Sequence, residues 1–155
     1  MDNKLGRNWI LLRGLARETS HWGDFVPLLQ AGFPQSQVTA LDLPGTGCCY
    51  QASSPCTIKS ITDDVRARAF GQGLLQQPVT FLAVSLGAMV AFEWLQRYPD
   101  DSCGAILMNT SFAGLSPFYQ RLRWQSYCKV LMLAVQDDRE LAIVRLVSNR
   151  EDQYE

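Results

Sequence analysis

The stretch 79–87 reads VTFLAVSLG, an apolar and β-branched run that ends on a hydroxyl at Ser85. The helical pattern AMVAFEWLQRY continues directly after Gly87. These residue types predict a buried strand, a sharp turn and a helix, with Ser85 at the tip of the turn. A serine held there is placed to attack an acyl carbon, and the G-x-S-x-G spacing describes such a nucleophile elbow. Strand and helix backbones pass close together at this bend, so the residues flanking the serine must be small. Gly87 meets that demand on the far side. Ala83 stands on the near side where glycine is usual, and its methyl is small enough. The amide of Leu86, in the first turn of the helix, is expected to face the oxygen on which negative charge would develop. The bland alternative is a serine that caps the helix by accepting from one of its orphan amides.

Composition bounds the rest. A chain of 155 residues, 47% hydrophobic and 19% charged, is globular and long enough to bury a core. A net charge of −1 suggests neither nucleic acid nor an anionic membrane as partner. The basic residues Arg121, Arg123 and Lys129 read as the wet side of a helix. No run approaches the ~18 apolar residues of a membrane span, and the N-terminal apolar run is too short for a signal peptide. The cysteines are odd in number, 5, with Cys48 and Cys49 adjacent, no C-x-x-C spacing, and one histidine in the chain. That excludes a zinc pattern and fits reduced thiols in a cytoplasmic protein. Cys48–Cys49 reads as a redox pair or, more blandly, as two small loop residues.

The elements that must position Ser85 emerge from the hydrophobic pattern. NWILLR (8–13) predicts a first strand ending at Gly14. Trp22, Phe25, Val26 and Leu29 recur at helical spacing, with Ser20 as the expected N-cap and an end near Gly32; Pro27 lies near enough the start to be tolerated. QVTALDL (37–43) predicts a second strand, ended by Pro44-Gly45-Thr46-Gly47. Thr57 or Ser60 could cap a helix through Ile58, Ile61, Val65 and Ala69, stopped by Gly71 and Gly73. The Ser85 strand and its helix to Tyr98 come next, then a fourth strand, CGAILM (103–108). Strand–helix alternation with largely apolar strands predicts an α/β fold with a parallel sheet of about four strands and flanking helices. Beyond Ser116 the pattern turns helical, over 117–135 and 138–147. The expected organisation is a core over 1–115 and a helical cap segment over 116–155.

Three motifs leave successive strand ends in order: Arg13-Gly14-Leu15, then Asp42-Leu43-Pro44-Gly45-Thr46-Gly47, then Ala83-Val84-Ser85-Leu86-Gly87. Together they resemble the N-terminal half of the α/β-hydrolase family, with its oxyanion loop, D-x-P-G-x-G turn and nucleophile elbow. The resemblance covers about 8–110, and the helices beyond look like the start of the family's lid. It implies Ser85 as nucleophile, the amides of Leu86 and Leu15 as oxyanion donors, Gly14 as part of the substrate site, and hydrolysis of an ester or related acyl bond of a small molecule. It implies no cofactor and no metal. Arg13 and Thr46 stand where histidines are frequent in the family. Phe118 and Trp124, in the aromatic stretch 118–127, are candidates for an acyl or aromatic substrate wall, or for ordinary lid packing.

The family's acid and histidine come after the serine in the chain. Here no histidine comes after Ser85, and His21 is the single one. A serine without a base is a poor nucleophile near pH 7. The resemblance therefore implies the front part of a hydrolase, cut short, with little turnover; the other reading is a non-catalytic binding or interaction module on the same fold. His21 reads as a rescuing base or, more blandly, as a group that satisfies a local carbonyl. Asp42 reads as an acid or as the residue that fixes the amides of its own turn. A dinucleotide-binding reading is weak, because no G-x-G-x-x-G stands after the first strand. The fourth strand, next to the Ser85 strand, would present an unpaired apolar edge, so marginal stability or self-association is expected.

Overall fold

A computed structural model describes residues 8–111. The chain divides into two units, Met1–Thr110 and Ser111–Glu155, and the sheet and its helices belong to the first. The helices expected over 117–135 and 138–147, with Phe118 and Trp124, lie outside the described residues.

Four strands form one parallel sheet in the order β2-β1-β3-β4: β1 (Trp9–Leu12), β2 (Val38–Leu41), β3 (Val79–Val84) and β4 (Ser102–Met108). Leu12 pairs with Leu41 on one side and Ala83 on the other, and Val84 pairs with Met108. The C-terminal ends of the strands thus come together, and with them the three motifs.

Side chains alternate across the sheet, as a pleated strand requires. Ile10, Leu12, Val79, Phe81 and Ala83 face one layer, where α2 (Ile58–Gly71) and α3 (Leu86–Arg97) bring Ile61, Val65, Ala69, Ala88, Val90, Ala91 and Trp94. Leu11 and Leu82 face the other, covered by Trp22 and by Val26 and Leu29 of α1 (Phe25–Gly32). The α2/α3 layer is the thicker core. Trp94 is fully buried, tilts against Phe81 with ring centroids 4.9 Å apart, and donates its indole N–H to Asp101 at 2.8 Å. Asp101 also pairs with Arg66 of α2 at 2.7 Å, so one carboxylate ties both helices to the start of β4.

Thr57, rather than Ser60, caps α2: its hydroxyl accepts from the Ser60 amide at 3.1 Å. The first helix differs from expectation. The apolar spacing of Trp22, Phe25, Val26 and Leu29 spans two elements, a 3-10 turn at Thr19–Trp22 and α1, separated at Gly23 (φ 50°). Ser20 is no N-cap; its hydroxyl donates to the Glu18 carboxylate, and Asp24 holds the N-cap position of α1. A 3-10 turn brings i and i+3 onto one face nearly as a helix does, so periodicity alone does not separate the two.

Candidate active site

Ser85 sits between β3 and α3 with φ 55° and ψ −117°, a conformation that L-residues avoid because Cβ crowds the backbone. The neighbouring structure holds it there. The Ser85 amide donates to the Met108 carbonyl of β4 at 2.9 Å. Its carbonyl accepts from the amides of Ala88 and Met89 and from the Thr110 hydroxyl, the last at 3.1 Å. The side chain caps nothing: no side-chain hydrogen bond closes the N-terminus of α3, and the hydroxyl has no partner among the described residues.

The small flanking residues have the expected cause. A Cβ on Gly87 would lie 2.6 Å from the Leu12 carbonyl oxygen and nearer still to that of Arg13, so α3 crosses directly over the end of β1. Gly14 comes up from the other side. A Cβ built on it would be 3.1 Å from Ser85 Cβ and 3.5 Å from Ser85 Oγ. The next turn is closed by the Arg17 amide on the Gly14 carbonyl at 3.2 Å, with Ala16 at φ 54°. Neither the Leu15 amide nor the Leu86 amide donates to an acceptor among the described residues. The Leu15 side chain is exposed.

Asp42, which follows β2, holds the site's two outer loops together. It is buried, and its carboxylate accepts from the Thr19 amide at 2.6 Å and the Cys48 amide at 2.9 Å. The Asp42 backbone carbonyl accepts from Arg68 of α2 at 2.7 Å. It fixes its own turn, and also a loop 23 residues earlier, which sequence reasoning missed. Gly47 (φ 50°) lies so close beneath that a Cβ would run into the carboxylate, 2.6 Å from Oδ1.

The Cys48 and Cys49 sulfurs are 3.7 Å apart. Hydrogen bonding to Asp42, above all, pushes the Cys48 thiol up to about 11. Because the thiolate is the reactive form, Cys48 is expected to alkylate at pH 7.5 roughly 100-fold more slowly than an unperturbed thiol, since two pKa units are two decades in thiolate fraction. Asp42→Asn should accelerate it, as read by mass spectrometry of the Cys48 peptide; equal rates in both proteins would contradict the assignment.

Among the described residues His21 satisfies no carbonyl. Its Nδ1 accepts from the Glu18 amide at 3.1 Å, one half of a capping box around the 3-10 turn. The signal for this in the sequence is the Glu18-x-x-His21 spacing around Ser20.

A family model for the alpha/beta hydrolase fold matches residues 10–148. The chain belongs to the α/β-hydrolase fold family. No curated protein matches its sequence. Among solved structures of the same fold, it is similar to Cfl2 from Burkholderia cenocepacia, at 19% identity and a TM-score of 0.65, over 90% of this chain and 47% of that one. It is also similar to a thermophilic esterase from Thermogutta terrifontis, at 20% identity and a TM-score of 0.64, over 91% of this chain and 48% of that one. A thioesterase of the prodiginine biosynthetic pathway in Streptomyces coelicolor matches at 16% identity and a TM-score of 0.64, over 88% of this chain and 55% of that one. The chain thus spans about half the length of these α/β-hydrolase-fold structures. Among the described residues no helix is long and apolar enough to cross a membrane.

Proposed function

We propose that this chain carries the nucleophile and the two oxyanion donors of a serine hydrolase that cleaves carboxylic-ester or related acyl bonds of a small molecule. One observation carries the reading: Ser85 is held in a costly backbone conformation at the strand–helix bend, and its hydroxyl is committed to nothing among the described residues. In this reading Ser85 Oγ bonds to the acyl carbon and the alkoxide leaves with a proton. The Leu15 and Leu86 amides stabilise the oxyanion, each by roughly 3 kcal/mol in a dry preorganised site.

The Ser85 proton needs an acceptor. His21 is not suited to take it. A backbone N–H donating to Nδ1 fixes the neutral imidazole with its proton on Nε2, leaving no lone pair there. Turnover by this chain alone is therefore expected to be small, limited to the roughly 10³–10⁴-fold over water that binding and an oxyanion hole supply without a triad. A fluorophosphonate probe tests the nucleophile: modification should map to Ser85 and be accelerated by added imidazole. No modification of Ser85 with imidazole present would remove the claim.

A second reading, an interaction module, is favoured by β4. Among the described residues this strand ends the sheet, and Ile106 and Met108 on it are 46% and 36% exposed. An apolar sheet edge is a template for association. The chain is expected to self-associate in gel filtration, and Ile106→Lys to shift it toward monomer. A wild-type monomer at high micromolar concentration would exclude association through this edge.

A further inference from the structure

The residue before the oxyanion loop is an arginine, and no carboxylate among the described residues compensates its charge. Arg13 leads from β1 into Gly14, where an added Cβ would lie 3.5 Å from Ser85 Oγ. Its guanidinium lies over the Trp22 ring, 4.9 Å from the centroid. Arg13 Nε and Trp22 Nε1 are both buried, and neither has a hydrogen-bond partner among the described residues. No carboxylate pairs with Arg13 among the described residues; burial, and then Arg17, push its pKa below the ordinary value. On the far side of the sheet Arg66, Arg68 and Arg97 each pair with an aspartate, at 2.7, 2.9 and 2.6 Å.

Leaving a half-buried cation and two buried donors unmatched is costly, and such groups are rare unless something answers them. The cation–π contact with the Trp22 ring restrains the guanidinium, so less freedom is lost when an acceptor binds. A single planar fork matches a carboxylate.

We propose that the Arg13–Trp22 pair recognises a carboxylate carried by the substrate, so that the site takes half-esters of short dicarboxylic acids in preference to neutral esters. Calling the ligand a substrate rests on the serine-hydrolase reading; the anion site itself does not. Arg13 acts as a specificity residue. It binds the acyl group's far end while the near end meets Ser85.

The test compares monomethyl glutarate with dimethyl glutarate, and both with inorganic phosphate, by isothermal titration of the intact chain. The half-ester is expected to bind at least ~10-fold more tightly than the diester, the size expected for a hydrogen bond to a charged group. The preference should weaken as salt is raised. Arg13→Met should erase it, with half-ester and diester then bound alike. Equal binding of half-ester and diester by the wild-type protein overturns the proposal, and needs no variant to fold. Phosphate binding as tightly as the half-ester overturns the carboxylate assignment. Fluorophosphonate modification, measured on the same samples, separates the two readings. A modified Ser85 without half-ester preference removes the anion site and keeps the nucleophile; half-ester preference with an inert Ser85 does the reverse.

Discussion

Alanine at position 87 is expected to destabilise the protein by about 2–3 kcal/mol, the upper part of the range for overpacking a tight site. The atoms that its methyl would meet are the carbonyl oxygen of Leu12, at 2.6 Å, its carbonyl carbon, at 2.8 Å, and the still nearer carbonyl oxygen of Arg13. These are backbone atoms at the end of a buried strand, and no rotamer change moves them. Either α3 lifts from the end of β1, or β1 bows and strains its pairing of Leu12 with Ala83. A fall of roughly 5–15 °C in Tm should result for a domain of this size. Gly71→Ala is the control. Nothing lies within 4 Å of a Cβ there, and the site is the last residue of α2. It should be neutral or slightly stabilising. Circular dichroism melts of the two variants decide the matter. A Gly87→Ala protein that melts with the wild type would show that the helix does not cross β1 so closely.

Replacing Ser85 separates strain from reactivity. At φ 55° and ψ −117° the residue holds strain of order 1–3 kcal/mol. Glycine at 85 removes the Cβ clash and brings its own unfolded-state entropy, roughly 0.5–1 kcal/mol. Ser85→Gly is therefore expected to be more stable than Ser85→Ala by about 1 kcal/mol, because alanine keeps the clash. Both should lose all modification by fluorophosphonate at this position. Denaturant unfolding gives the comparison. If the glycine variant is no more stable than the alanine variant, the backbone at 85 is not strained, and the hydroxyl is not held out by the fold at a cost. If both behave as expected, the protein gives up stability to present one oxygen atom.

The strands are legible in the sequence because each is an apolar run closed by a turn-forming residue, and strands covered on both faces need no alternation to be found. The elbow is legible because its steric demand is local: the small residues stand within two positions of Ser85. Long-range relations are not legible. Thr19 and Asp42 show nothing in their neighbourhoods that marks them as partners, and the pairing exists only once β1 and β2 lie side by side. The segment 19–32 misleads for a different reason. Its apolar residues keep a helical spacing across a break, and the warning lies in Gly23 together with Pro27, which belongs in the first turn of a helix and not in its middle. The unmatched state of Arg13 also lies beyond sequence. An arginine before a glycine predicts nothing about whether a carboxylate will come near it.

Two of the supports of Ser85 come late in the chain. Its amide is held by Met108 and its carbonyl by Thr110, both more than 20 residues downstream in sequence. A nascent chain that has emerged only as far as α3 has the serine but not the grip that keeps it bent. Parallel pairings of this kind are slow to close. The poised hydroxyl is then a late event in biosynthesis, and it depends on β4, the outermost of the described strands.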